Sequence, residues 1–309
     1  MALWSAPVCN DGGVSNTPQA YWRSYEPREA LNDLDELLAF ISLVSAGQQT
    51  LVWRGVMNEA WGLHSSLYRY GVDKLGKIPN DTEFQRLEDW VVARAREWGM
   101  DRVPSSRSGL ELLAWMQHTG SPTRLVDVTL NPLVAAWFAC EAHVADGVPT
   151  DGRIFAVGSA AGPVMDDGRS ALPWQDGESM NAARLSENVT SLWQPPALDP
   201  RIAAQSGAFL VGPLPRKDSG GYWYNAGDSK NRYTATEVRA LTSIPTRAYK
   251  SITPGGSYRQ NPLISVRVSA DCKANLRSRL ASSFNLRSAL LFPDPYGLAG
   301  HFQRTTPEL

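Results

Sequence analysis

Cysteine is scarce in this chain: Cys9, Cys140 and Cys272 are the only three in 309 residues. They are widely spaced, with no CxxC pair and no Cys/His ligand spacing, which argues against a disulfide framework and against structural zinc. Net charge is also lacking, at −1, so no global field draws the whole molecule onto nucleic acid or an acidic membrane, and any such binding must be local. No stretch approaches the roughly eighteen apolar residues of a membrane span, and the opening MALWSAPVCNDGG has no basic segment leading into a long apolar run. A cytoplasmic protein with no membrane contact is the expectation. The sequence carries no metal-carboxylate cluster and no paired-histidine signature, which disfavours a metal-dependent nuclease and leaves no metal site to name. Internal repeats are absent as well.

Apolar residues make up 43% of the chain, enough to bury a large core in a single elaborated domain. Residues 1 to about 27 are rich in Gly, Pro, Ser and Asn, and read as an arm with scattered aromatics. Leu31, Leu34, Leu37, Leu38, Ile41 and Val44 recur at helical spacing up to Gly47, completing an N-terminal unit over residues 1–49. The run TLVWR at 50–54 predicts a short strand. Phe84, Leu87, Val91, Ala95 and Trp98 mark one face of a second helix, and Leu110, Leu113 and Met116 mark a third. Leu125–Val128 can form a buried strand; Asn131 and Pro132 then stand where an N-cap and first helical residue belong, opening the helix LVAAWFACEA. Strand character returns at Arg153–Val157, Ala208–Val211 and Leu263–Val268, around irregular insertions at about 159–200 and 213–262. Helices first and strands later predict an α+β domain over residues 50–302, followed by a short tail at 303–309.

Three elements carry candidate chemistry. In Trp53-Arg54-Gly55 the guanidinium can grip a phosphate or a ribose hydroxyl, and the glycine would let a ligand approach the backbone. In Gln117–Ala139 the side chains of His118, Thr123, Arg124, Asp127, Thr129 and Asn131 lie among hydrophobic runs, where an unpaired polar group costs a few kcal/mol. They should converge on one another or on a ligand, and the helix opening at Asn131 offers N–H groups to an anion. In RIAAQSGAF at 201–209, Gln205 presents an amide that can orient a group but cannot act as a base. Each element also has a plain structural alternative: an Arg–carboxylate pair with a turn glycine, an Arg124–Asp127 pair beside a core histidine, and a glutamine bonded to a turn.

Together, WRG at 53–55, LLAWMQHTGSPTRLVDVTLNPLVAAWFA at 112–139, RIAAQSGAF at 201–209 and LFPDPYGLA at 291–299 resemble the FRG-domain family in order and spacing. That name supplies no reaction. A weaker similarity, to the arginine-type ADP-ribosyltransferases, does. It implies a split β-sheet core and NAD as substrate, with Arg54 holding NAD, Thr129 shaping the nicotinamide pocket and Gln205 opening the late motif; Trp53, Gly55, His118, Arg124, Asp127 and Asn131 would surround the cofactor. Two residues after Gln205 stands Gly207, where that superfamily has a glutamate. Asp127 or Glu237 could replace the carboxylate, or the chain binds a nucleotide without turning it over.

The 213–262 insertion carries eight cations against three carboxylates, interleaved with Tyr222, Trp223, Tyr224, Tyr233, Tyr249 and Tyr258. Such a segment could meet RNA or another nucleic acid, could dock a neutralising antitoxin protein, or could be a solvated loop. The expected function is an NAD-dependent ADP-ribosyltransferase-like toxin or phage-defence effector acting on nucleic acid, RNA first, or on protein. A non-catalytic nucleotide- or partner-binding module is the alternative.

Overall fold

The computed structural model describes residues 18–46, 50–102, 108–158, 166, 168, 171–172, 174, 189–196, 199–215, 234–251, 261–295 and 297–298. Its centre is a mixed sheet of seven strands: β1 (Leu51–Val56), β2 (Val126–Thr129), β5 (Gly152–Gly158), β6 (Ser191–Trp193), β7 (Gly207–Val211), β8 (Thr246–Ala248) and β9 (Asn261–Val268). They are ordered β6-β7-β2-β1-β5-β9-β8, and all neighbours are antiparallel except the β8–β9 pair. The two-residue strands β3 (Val144–Ala145) and β4 (Val148–Pro149) form a separate hairpin.

Side chains alternate across a pleated strand, so each strand feeds two faces. On one face Trp53, Ile154, Ala156, Ile264 and Val266 pack under α2 (Leu34–Ser45), α6 (Pro132–Ala139) and α9 (Lys273–Phe284). The other half of that face, with Leu125, Phe209, Val211 and Trp193, lies under α3 (Ser66–Leu75), α4 (Asp81–Glu97) and α5 (Gly109–His118). The opposite face buries Val52, Val56, Val126, Val128, Phe155 and Val157 against α1 (Pro18–Ser24) and α8 (Ala235–Leu241). Two short helices, α7 (Pro200–Ala204) and α10 (Ser288–Leu291), lie further along the chain.

Most expected elements are present within a residue or two. The arm docks in part: Tyr21 and Trp22 are buried, and Trp22 meets Phe155 edge-on with ring centroids 5.2 Å apart. Trp98, expected on the inner face of α4, instead caps its C-terminus with 88% of its surface in solvent. The periodic face ends one residue earlier because the helix itself does. Helix α3 was not expected, although Ser65 as N-cap and left-handed Gly76 at the C-cap bracket Leu67, Tyr68, Val72 and Leu75. Cys140 and Cys272 are free and buried, and burial pushes their thiols up to about 12 and about 11; Cys9 lies outside the described residues.

One seam positions the site. β1 pairs with β5 through six register partners but with β2 through one, Trp53 opposite Thr129. Beyond that pair the ladder stops. There Leu67 N donates to Thr123 O at 2.9 Å, so the start of α3 runs beside the chain entering β2.

Candidate functional site

Arg54 follows Trp53 on β1, and alternation sends its side chain from the face opposite Trp53 and Thr129. The guanidinium turns into the seam, where NH1 donates to Asp127 O at 2.5 Å and lies 3.6 Å from Asp127 Oδ2. The Arg54 side chain is 17% exposed and that of Asp127 56%, so the pair opens to solvent from the carboxylate side. Arg54 Nε is buried without a hydrogen-bond partner, a donor that a ligand oxygen could satisfy.

Asp127 is held from behind by Gln117, whose Nε2 donates to Oδ2 at 2.8 Å. The amide cannot flip without loss, because its Oε1 accepts from Ser66 Oγ at 2.9 Å and Thr123 Oγ1 at 2.6 Å. Ser66 Oγ in turn accepts from Thr123 N at 2.9 Å. A second guanidinium, Arg69, donates from NH1 to His64 O at 2.7 Å. Arg69 reaches the surface, yet the protein packed around its guanidinium, and then the Arg54 charge, push its pKa down to about 10, with Asp127 opposing. Two cations facing one carboxylate leave positive charge over, a setting for an anion.

His64 stacks on Tyr68 with centroids 4.7 Å apart, and its Nε2 meets Arg239 O at 3.0 Å. Burial, reinforced by the Arg69 and Arg54 charges, pushes its pKa down to about 3 against the Arg239 carbonyl's opposing pull. The unfolded chain therefore takes up a proton near pH 6.5 that the folded chain refuses until about pH 3. The stabilising effect of keeping His64 neutral is whole above pH 6.5 and is lost as pH falls through that window, at about 1.4 kcal/mol per pH unit. Urea denaturation across pH 4–7 should show this slope, reduced by about one proton in His64→Phe. That variant keeps the ring stack, and Tyr68 Oη still donates to Arg239 O at 2.6 Å.

The polar groups of 117–139 do not all converge. Thr123 and Asp127 join the Gln117 network, but Arg124 faces away and is 5% exposed. It holds Glu88 with Nε and NH2 at 2.6 Å each, reaches Gln85 and Gly212 O, and lies over the Phe84 and Trp174 rings. His118, one residue past Gln117, points elsewhere: it stacks on Trp115 and its Nδ1 is 3.5 Å from Asp199 Oδ1. Thr129 Oγ1 donates to Gln205 O at 2.6 Å and accepts from Asn131 N at 2.9 Å, on the face away from Arg54's Cβ. Asn131 caps α6 by accepting from Leu133 N. That helix end has no vacant donor: Pro132 has no N–H, and Val134 and Ala135 both donate to Asn131 O. The expected anion site there is not available.

Trp53 is core, 2% exposed and edge-on to Phe40. Gly55 serves α6: a Cβ at this position would fall inside the Ala135 carbonyl oxygen. Close packing of helix on strand, and no ligand, accounts for the glycine.

The two later motifs clamp each other. Arg201 Nε and NH2 bind Asp294 Oδ2 and Oδ1 at 2.7 Å each, and the Arg201 hydrogen bond holds the Asp294 carboxyl below its ordinary range. Gln205 Nε2 donates to Leu291 O at 2.9 Å. Glu237 is occupied as the N3 residue of α8, accepting from Thr234 N and Oγ1. Within the basic insertion, Arg239 is a buried staple bonded to Pro215 O, Pro79 O and Asp81, which its count as a phosphate-meeting cation did not foresee. Arg247 lies over Tyr249, 5.4 Å from the ring centroid. The rest of that segment's cations and aromatics, apart from Lys250, lie outside the described residues, as does most of 159–200.

Residues 49–147 match the family model of the FRG domain. The matched span holds the Trp53-Arg54-Gly55 triplet and the whole 117–139 unit, and ends before the Arg201 and Asp294 motifs. No curated protein and no solved structure matches the chain. No described helix is long and apolar enough to cross a membrane.

The sequence reading missed Arg69, Ser66, His64 and the role of Gln117. Arg69 and Ser66 were reachable through the Ser65-to-Gly76 bracket of α3. Which of the charged and hydroxyl groups on that helix faces the seam depends on how α3 docks.

Proposed function

We propose that the protein is an ADP-ribosyltransferase-like effector with NAD as its substrate, acting from the seam between β1 and β2. What carries this reading is the juxtaposition of Arg54, its Nε buried and unpartnered, with the exposed carboxylate of Asp127. In this reading Arg54 and Arg69 take the phosphate oxygens of NAD, and charge-assisted bonds fix the dinucleotide. Asp127, oriented by Gln117, supplies the carboxylate that Gly207 leaves out of the late motif. It stabilises the cationic ribose as the bond to nicotinamide breaks, and it takes the acceptor's proton. Thr129 and Gln205 act indirectly, by tying the β2–α6 turn to the turn before β7. The core would then be a split-sheet ADP-ribosyltransferase type, and the natural setting a cytoplasmic toxin or phage-defence system with RNA or protein as acceptor and an antitoxin as its neutralising partner.

Incubation with NAD and total RNA or lysate should release nicotinamide and add ADP-ribose detectable by mass spectrometry. Asp127→Asn should lower the rate by about 10²–10⁴-fold, and Arg54→Ala should abolish transfer and relieve growth arrest on expression. Absence of both nicotinamide release and transfer would sink the catalytic reading. One observation favours a non-catalytic nucleotide-binding module instead: the Gln205 amide is spent on Leu291 O and no glutamate follows it. Calorimetry showing NAD binding without product over long incubation would decide for that second reading.

A further inference from the structure

Arg86, Trp90 and Arg94 follow one another at steps of four residues on the exposed side of α4, and Trp98 stands four residues further on as its C-cap, so guanidinium and indole alternate. Residues four apart share a helix side and climb about 6 Å per step. The inner face is already spent, with Phe84, Glu88, Val91 and Val92 buried. Trp90 is 52% and Trp98 88% exposed, and both arginines are exposed. Folding gains little from indoles left in water, and large aromatics are seldom placed so.

We propose that this stripe binds single-stranded nucleic acid, the two indoles stacking unpaired bases while Arg86 and Arg94 meet the phosphodiesters between them. Stacking on an aromatic face is open to any base, and a guanidinium beside it adds charge attraction, which is the pairing of groups that single-strand binders use. A duplex hides its base faces and would leave the indoles uncovered. A second copy of the chain packed antiparallel would set indole against guanidinium, and sizing tells that occupant from a nucleic acid. Arg94 pairs with Glu97 at 2.5 Å, but both side chains are about half exposed, and such a pair is weak enough for a phosphate to displace.

The site uses none of the residues at the Arg54 seam, and it would give an RNA acceptor in the reading above a place to dock. Fluorescence anisotropy with a labelled oligouridylate of about 15 nucleotides, the scale of a single-strand site, tests it on the full chain. Trp90→Ala/Trp98→Ala should weaken binding about tenfold or more. Arg86→Ala/Arg94→Ala should weaken it and lower the salt slope by about 0.7 for each lost phosphate contact. A duplex of equal length should bind less well. All four side chains are exposed, so circular dichroism should remain that of the parent. The proposal is overturned if the parent does not bind the oligonucleotide, if the double tryptophan variant binds as well as the parent, or if sizing shows a parent dimer that this variant dissolves. Arg54→Ala, which tests the NAD reading, should leave the anisotropy unchanged, so the two ideas fail separately.

Discussion

Gly55→Ala should unfold the protein or cost it at least about 3 kcal/mol, the upper range for forcing a methyl group into a packed interior. The added carbon would sit inside the Ala135 carbonyl oxygen and within 2.8 Å of Ala139 N. Both are backbone atoms of α6, so no side-chain rotation relieves the clash. The helix would have to lift from β1, and with it from Gly152 of β5, where a Cβ would meet the Ala139 carbonyl oxygen in the same way. Lifting α6 would strip contacts from Val134, Ala135, Ala136 and Trp137, all at most 2% exposed. Urea denaturation measures the effect. A variant that folds with parental stability and loses only nucleotide affinity would show that the glycine serves a ligand and not the helix.

Arg124→Ala should cost about 3–5 kcal/mol, the range for stranding one partner of a buried ion pair. Glu88 is 1% exposed and accepts from Arg124 Nε and NH2 and from Trp174 Nε1 at 2.9 Å. Without the guanidinium its charge keeps only two neutral donors, Trp174 Nε1 and a long bond from Gln85 Nε2 at 3.4 Å, and the Phe84 and Trp174 rings lose the cation between them. Glu88→Leu/Arg124→Met should recover much of the loss, because an apolar pair of similar bulk carries no desolvation cost, but not all of it, since Trp174 Nε1 then lacks its acceptor. Equal destabilisation in the single and double variants would refute this account. NAD binding, compared at a temperature where the variant is folded, should be unchanged, because Arg124 does not face the seam.

The candidate site was legible in its backbone and only partly in its side chains. Periodicity marked the strand of Arg54, the strand of Asp127 and the capped helix between them and β5, because each is short, strongly patterned and bounded by Gly, Asn or Pro. The same pattern could not say that Thr129 and Arg54 leave opposite faces of neighbouring strands, since that depends on the Trp53–Thr129 register. Nor could it separate Gln117, which binds Asp127, from His118, which meets Asp199: one helical residue apart is a turn of about 100°.

By itself the sequence determined an α+β chain of near-neutral charge, the cap of α6, and the presence of a guanidinium, a carboxylate and hydroxyls within a few elements of one another. Those properties are local, set by spacing along the chain and by hydrogen bonds within a few residues. Tertiary structure decided which of these polar groups became scaffold and which stayed open. Arg124, Arg201, Arg239 and Asp294 were taken into long-range bonds that bind helices, strands and loops together, while Arg54 and Asp127 met where β1 and β2 part. The reason is physical: a buried charge must find a partner, and the partner's position is a property of the assembled fold.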